Sequence, residues 1–123
     1  MGYQEMEYAA ELGKAIFDAV RKTGRDAIVV ASSDFTHYES EKSAMEKDKP
    51  AIARLVAMDE KGFEDMVDDR NLSICGHGPI AAAMSYSKLA GAKKCELLKY
   101  TNSGDATGDH ESVVSYASLA ISK

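Results

Sequence analysis

Apolar positions in the first third of the chain follow two contrasting rhythms. From Tyr3 to Thr23 the residues Met6, Ala9, Ala10, Ile16, Phe17 and Val20 recur at helical spacings, and Gly24 supplies a stop, so this segment is expected to be an amphipathic helix. Residues 27–31 then read Ala-Ile-Val-Val-Ala between polar neighbours. A short β-branched run of that kind predicts a strand buried on both faces, as in a parallel sheet. A helix carrying an apolar stripe needs a sheet to cover, and no strand precedes this helix. The order leads to the expectation that sheet-forming sequence lies upstream of Met1.

Further along, Ser40 is placed to cap a polar helical segment, and Pro50 predicts an interruption near residues 48–50, with a second helical turn through residues 51–56. Asp59 or Glu60 starts a short helix holding Phe63, Met66 and Val67. Residues 77–90 predict an Ala-rich helix with Pro79 in its first turn and Gly91 past its end, its small residues Ala81, Ala82, Ala83 and Ala90 suited to close packing against a sheet. Strands are expected over residues 95–101 and 113–121. The stretch between them, Asn102-Ser103-Gly104-Asp105-Ala106-Thr107-Gly108-Asp109-His110, reads as a loop joining a hairpin.

Composition narrows the class. With 123 residues and 45% hydrophobic content there is material for one modest core. The 15 basic and 20 acidic residues give a net charge of -5 spread along the chain, which argues against nucleic acid as a partner. No apolar stretch approaches the roughly 20 residues needed to span a bilayer, and the amino terminus lacks the pattern of a signal peptide, so no membrane association and a cytoplasmic location are expected. Two cysteines are too few for a disulfide scaffold; Cys95, inside an expected strand, reads as a small buried hydrophobe.

Candidate chemistry concentrates in two places. Ser32-Ser33-Asp34-Phe35-Thr36-His37-Tyr38 follows the expected strand directly, where open α/β sheets bind ligands. There His37 is either a general acid or base whose tautomer Asp34 fixes, or a hydrogen-bonded loop histidine beside a turn-capping aspartate. Ile74-Cys75-Gly76-His77-Gly78-Pro79-Ile80 opens a helix and sets a thiol near its amino terminus. Cys75 is then a reactive or metal-ligating thiolate with His77 as a second candidate ligand, or a buried thiol. The Ser103 and Asp105 loop matches neither common phosphate-binding fingerprint and reads as a wall-forming connection.

Taken together, Val30-Ala31-Ser32-Ser33-Asp34-Phe35-Thr36-His37-Tyr38, Ile74-Cys75-Gly76 with Pro79-Ile80, Tyr100-Thr101-Asn102-Ser103-Gly104-Asp105 with Gly108-Asp109, and Val113-Val114-Ser115-Tyr116-Ala117 resemble the Memo family, which is related to the class III extradiol ring-cleaving dioxygenases. Ser115 stands where that family commonly has Gly. Met1-Gly2-Tyr3-Gln4 resembles an interior segment of the family. The resemblance implies the carboxyl-terminal portion of a single domain over residues 1–123, an α/β fold with helices on a mixed, mostly parallel β-sheet. It further implies an iron or copper site with Cys75 as one ligand, His37 and Asp34 as catalytic residues, Ser33, His77, Ser103 and Asp105 as pocket candidates, and two ligand histidines upstream of Met1.

Two functions from different classes meet these observations. One is a contribution to a redox metal site related to ring-cleaving dioxygenases, inactive in this chain alone and completed by the missing amino-terminal half or by self-association. The other is a non-enzymatic module whose crevice holds a small molecule, a peptide or a phosphopeptide.

Overall fold

The computed structural model describes residues 3–123, with side chains from Met6 onward, so Met1 and Gly2 lie outside the described residues. Helix α1, Tyr3–Thr23, forms where the 3.6-residue apolar period predicts it, with Arg21 and Lys22 in its last turn and Gly24 beyond it at φ +65. Next in order come β1 (His37–Glu39), α2 (Glu41–Val56), α3 (Glu60–Asp69), α4 (His77–Leu89), β2 (Lys94–Asn102), α5 (Gly104–Thr107) and β3 (Val113–Ser122). Local chemistry sets the boundaries. The Ser40 hydroxyl accepts from Ser43 N at 3.2 Å and the Asp59 carboxylate from Gly62 N at 2.9 Å, each satisfying an amide that a helix start leaves open.

The strands form one three-stranded sheet in the order β1-β3-β2, and both pairings are antiparallel. Helices α2, α3 and α4 bury a core of Phe35, Ile52, Leu55, Phe63, Val67, Ile74 and Met84, against which Tyr100, Leu119 and Ile121 pack from the sheet. Helix α1 packs on α4 through a smaller cluster of Ala9, Ala81 and Ala82. The approach there is close: a Cβ on Gly13 would meet Ala82 O at 2.8 Å and Tyr86 N at 2.9 Å. No described helix is long and apolar enough to cross a membrane.

A buried carboxylate ties the layers together. Asp48 of α2, fully buried, accepts from Thr36 N at 3.2 Å, Thr36 Oγ1 at 2.7 Å, Tyr100 OH at 2.5 Å and the Ser115 hydroxyl. Four donors saturate its two oxygens, which compensates its removal from water. Burial, with the Asp48 hydrogen bond, pushes the Tyr100 phenol well above its ordinary range.

Five expectations are corrected. The sheet of the described residues is antiparallel, not mostly parallel. Residues 27–31 form no strand: a strand needs a partner ladder, and no strand among the described residues pairs with them, leaving Ile28 91% and Val30 81% exposed. Helix α2 runs unbroken across Pro50, because Asp48, Ala51, Ile52 and Leu55 are buried on both sides of the ring and their packing offsets the roughly 3 kcal/mol an interior proline costs. The small residues Ala81 and Ala82 of α4 admit α1 rather than a sheet, and the 102–110 loop holds the single turn α5.

Asp48→Ala should destabilise the chain by about 3 kcal/mol or more in urea unfolding, since it strands several buried donors, whereas Val30→Asp, on an exposed position, should stay within about 0.5 kcal/mol. Tyr100 makes stability depend on alkaline pH. Below about pH 10 both folded and unfolded chains keep the phenolic proton; above it the unfolded chain releases it first, so stability falls as pH rises. Tyr100→Phe should flatten that decline in unfolding curves recorded between about pH 8 and pH 11.

Candidate functional site

The segment 33–37 crosses the molecule between two anchors. On one side Phe35 N donates to Ser115 O and Ser115 N donates to Thr36 O, both at 2.9 Å, fixing it along β3. On the other, His37 N donates to Ser73 Oγ at 2.9 Å and Gly76 N donates to Ser33 Oγ at 2.8 Å. The second anchor depends on Gly76 lacking a side chain, because a Cβ there would lie 2.5 Å from Ser33 Cβ and 2.7 Å from Ser32 O. Residues 73–76, leading into α4, are thereby pressed against the Ser-Ser-Asp-Phe turn.

This contact brings Asp34, His37 and Cys75 together, with their ligand-capable atoms all within 4.8 Å of one another. Asp34 N donates to Cys75 Sγ at 3.4 Å, and Ser33 Oγ lies 3.8 Å from the same sulfur. His37 Nε2 is 3.4 Å from Asp34 Oδ2, while its Nδ1 is 2.6 Å from Ser73 O. A carbonyl oxygen can only accept, so Nδ1 carries hydrogen. In the neutral ring, Nε2 then turns a lone pair toward the Asp34 carboxylate; a proton or a metal cation between the two relieves that opposition. Tyr38, at φ 57 and 79% exposed, holds its ring 5.9 Å from that of His37.

The remaining sequence candidates divide. Ser33 belongs to the group through its sulfur contact. His77 does not: its Nδ1 is paired at 3.0 Å with Glu64, which is buried on α3. Ser103 and Asp105 also lie apart from it. Ser103 Oγ accepts from Val114 N at 3.0 Å, and Asp105 gathers with Glu41 and His110 in a second, separate group of ligand-capable side chains. The Thr101 hydroxyl is the main influence holding the Asp105 carboxyl below its ordinary range.

Sequence reasoning missed Ser73, Glu64, Glu41 and His110. Glu64 left a signal, since it shares the spacing of Phe63 and Val67 on the buried face of α3. Ser73 left none: its partner His37 is 36 residues away. Cys95 is buried in β2 as expected, and burial pushes its thiol upward.

The α/β framework thus brings three side chains able to ligate a metal, Asp34, His37 and Cys75, to one point. The chain matches the family model for Memo-like proteins over residues 1–120 and belongs to the Memo family. It is similar to MEMO1 family proteins from Methanothermobacter thermautotrophicus, 47% identical over 98% of this chain and 43% of the relative, and from Methanosarcina acetivorans, 43% identical over 98% of this chain and 45% of the relative. A Methanopyrus kandleri relative is 43% identical over 98% of this chain and 43% of its own length. The chain thus spans a little under half the length of the curated relatives it matches.

The exposed Cys75 and buried Cys95 should separate cleanly in a chemical test. Iodoacetamide at neutral pH should modify Cys75 at least about tenfold faster than Cys95, as read by peptide mass spectrometry. Equal rates in the folded chain would contradict the exposure described here.

Proposed function

We propose that this chain supplies the Asp34, His37 and Cys75 portion of a redox metal site, iron or copper, in a Memo-like protein with the fold and ancestry of the extradiol dioxygenases. The observation that carries this reading is the convergence of three donors on one point, with the His37 tautomer fixed by Ser73 O so that Nε2 faces Asp34 and Cys75. A thiolate ligand suits iron or copper better than calcium or magnesium, which take oxygen ligands. Cys75 is one ligand of such a site, with His37 and Asp34 beside it, so the further ligands come from the polypeptide corresponding to the part of the Memo relatives beyond this chain. The resemblance to the family puts two histidines there.

Each residue then has a distinct part. Cys75 is the ligand, its sulfur held by the Asp34 amide and reached freely from solvent. His37 holds or moves a proton at Nε2, with Asp34 orienting the ring and stabilising its charged form. Ser73 fixes the tautomer, and Gly76 lets the two segments close. A bound iron or copper would supply one-electron chemistry and open coordination positions. The exposed Tyr38 ring offers an apolar wall to an aromatic or aliphatic ligand, while the Asp34 carboxylate disfavours a phosphorylated one. Catalysis and a cytoplasmic setting belong to the longer protein as parts of this proposal.

Cobalt(II) titration tests the ligand assignment, because a thiolate ligand gives a charge-transfer absorption that oxygen and nitrogen ligands do not. The band should appear with the wild-type chain and with Cys95→Ser, and vanish with Cys75→Ser, with at least about tenfold weaker binding of Cu(I) by the same variant. An unchanged band in Cys75→Ser would sink the metal reading and leave the crevice as a wall for an organic or peptide ligand.

A further inference from the structure

Glu41, Asp105 and His110 come from three separate places in the chain: the first turn of α2, the single turn α5 and the segment leading into β3. Their ligand-capable atoms all lie within 4.8 Å of one another, and His110 Nδ1 is 3.3 Å from Glu41 Oε1. Backbone contacts fix this meeting. Glu41 N donates to His110 O at 2.9 Å, and the imidazole rests against Gly104, where a Cβ would lie 2.6 Å from its Nδ1. A side chain at 104 would displace the ring from the two carboxylates.

Two carboxylates at this spacing repel one another, and side chains with access to water are free to turn apart. Here each is held by a donor from outside the group. Asn102, only 7% exposed, donates from Nδ2 to Glu41 Oε1 at 2.9 Å. Its amide has a single orientation, because Gly104 N donates to Oδ1 at 2.8 Å and leaves Nδ2 for the carboxylate. The Thr101 hydroxyl donates to Asp105 in the same way. Fixed donors behind the carboxylates are how metal sites aim their ligands. The repulsion that this arrangement maintains is relieved by a cation placed among the three groups.

We propose that Glu41, Asp105 and His110 form a second metal site, which takes a divalent cation of the zinc(II) type and clamps the connection between β2 and β3 to the start of α2. One nitrogen and two oxygen donors, with no sulfur among them, suit zinc(II), manganese(II) or iron(II) and not copper(I). Three protein ligands leave coordination positions to water, which the half-exposed side chains of Glu41 and His110 admit. Asp105 and His110 both belong to the connection and Glu41 to the helix, so a cation that binds all three joins segments otherwise held there by a few hydrogen bonds. The site shares no ligand with the Asp34, His37 and Cys75 group, so the two readings stand or fall separately.

Zinc(II) titration of the Cys75→Ser chain tests the site, followed by calorimetry and by the nuclear magnetic resonance signals of its three histidine rings. The His110 signals should move first and stop moving when zinc and chain are equimolar, with those of His37 and His77 following only at excess metal. His110→Gln and Asp105→Asn should each weaken binding at least about tenfold. Zinc should raise the unfolding midpoint of the parent and of neither variant. Glu111→Gln removes a charge from the same connection without touching the group, and should bind as tightly as the parent. The ring signals of the parent decide the matter even where a variant folds poorly. An earlier shift of His37 or His77, an equal loss in Glu111→Gln, full-strength binding by His110→Gln, or no binding below about 1 mM zinc(II) would each overturn the proposal.

Discussion

Asp48 sits where the sheet, α2 and the Ser-Ser-Asp-Phe turn meet, and its burial constrains all three. A carboxylate removed from water is tolerable only when its lone pairs are filled, and here Thr36, Tyr100 and Ser115 fill them from three separate stretches of chain. Ser115 lies on β3 and Tyr100 on β2, so the same group that caps the hairpin from within also sets the height of Thr36 above it. His37 is the next residue. The candidate site therefore inherits its position from a polar contact that takes no part in its chemistry, and a shift of α2 by one residue would leave both the core and the site without their common reference.

The Ser-Ser-Asp-Phe turn is gripped from both sides by backbone contacts rather than by large side chains. Phe35 and Thr36 exchange hydrogen bonds with Ser115, and Gly76 admits Ser32 and Ser33 at distances no other residue allows. The outcome is rigidity beneath a group that is itself open: Cys75 is exposed and Asp34 partly so. Charged and polar donors held by a stiff frame, yet reachable from outside, are what a site needs if its ligand arrives after folding.

Much of the helical structure was legible because it is written locally. Caps at Ser40 and Asp59, the period of α1, and the Pro79 and Gly91 borders of α4 each depend on residues within a turn or two of one another. Sheet direction was not legible, because it depends on which strands meet, and the run at 27–31 reads as a strand while no strand among the described residues pairs with it. Pro50 misled for the opposite reason: a local rule was outweighed by burial on both sides of it. The meeting of Asp34 with Cys75, 41 residues apart, follows from no spacing rule. Two chemistry-bearing clusters in so small a chain already suggested one site, and resemblance to the family pointed to both residues; the contact itself is written in neither cluster.

The close crossing of α1 over α4 at Gly13 makes the first helix a lever. Ten residues separate that crossing from Thr23, a span of about 15 Å at 1.5 Å per residue, so a tilt of only 5° or so about the fulcrum moves the far end by roughly 1.3 Å. Hydrogen bonds between strands fail over smaller displacements than that. Because the fulcrum is made of Ser85 Cβ, Ala82 O and Tyr86 N, none of which moves when a side chain changes rotamer, it cannot creep in that way. The aim of the chain as it leaves α1 for residues 27–31 is thus machined at a glycine half a helix away.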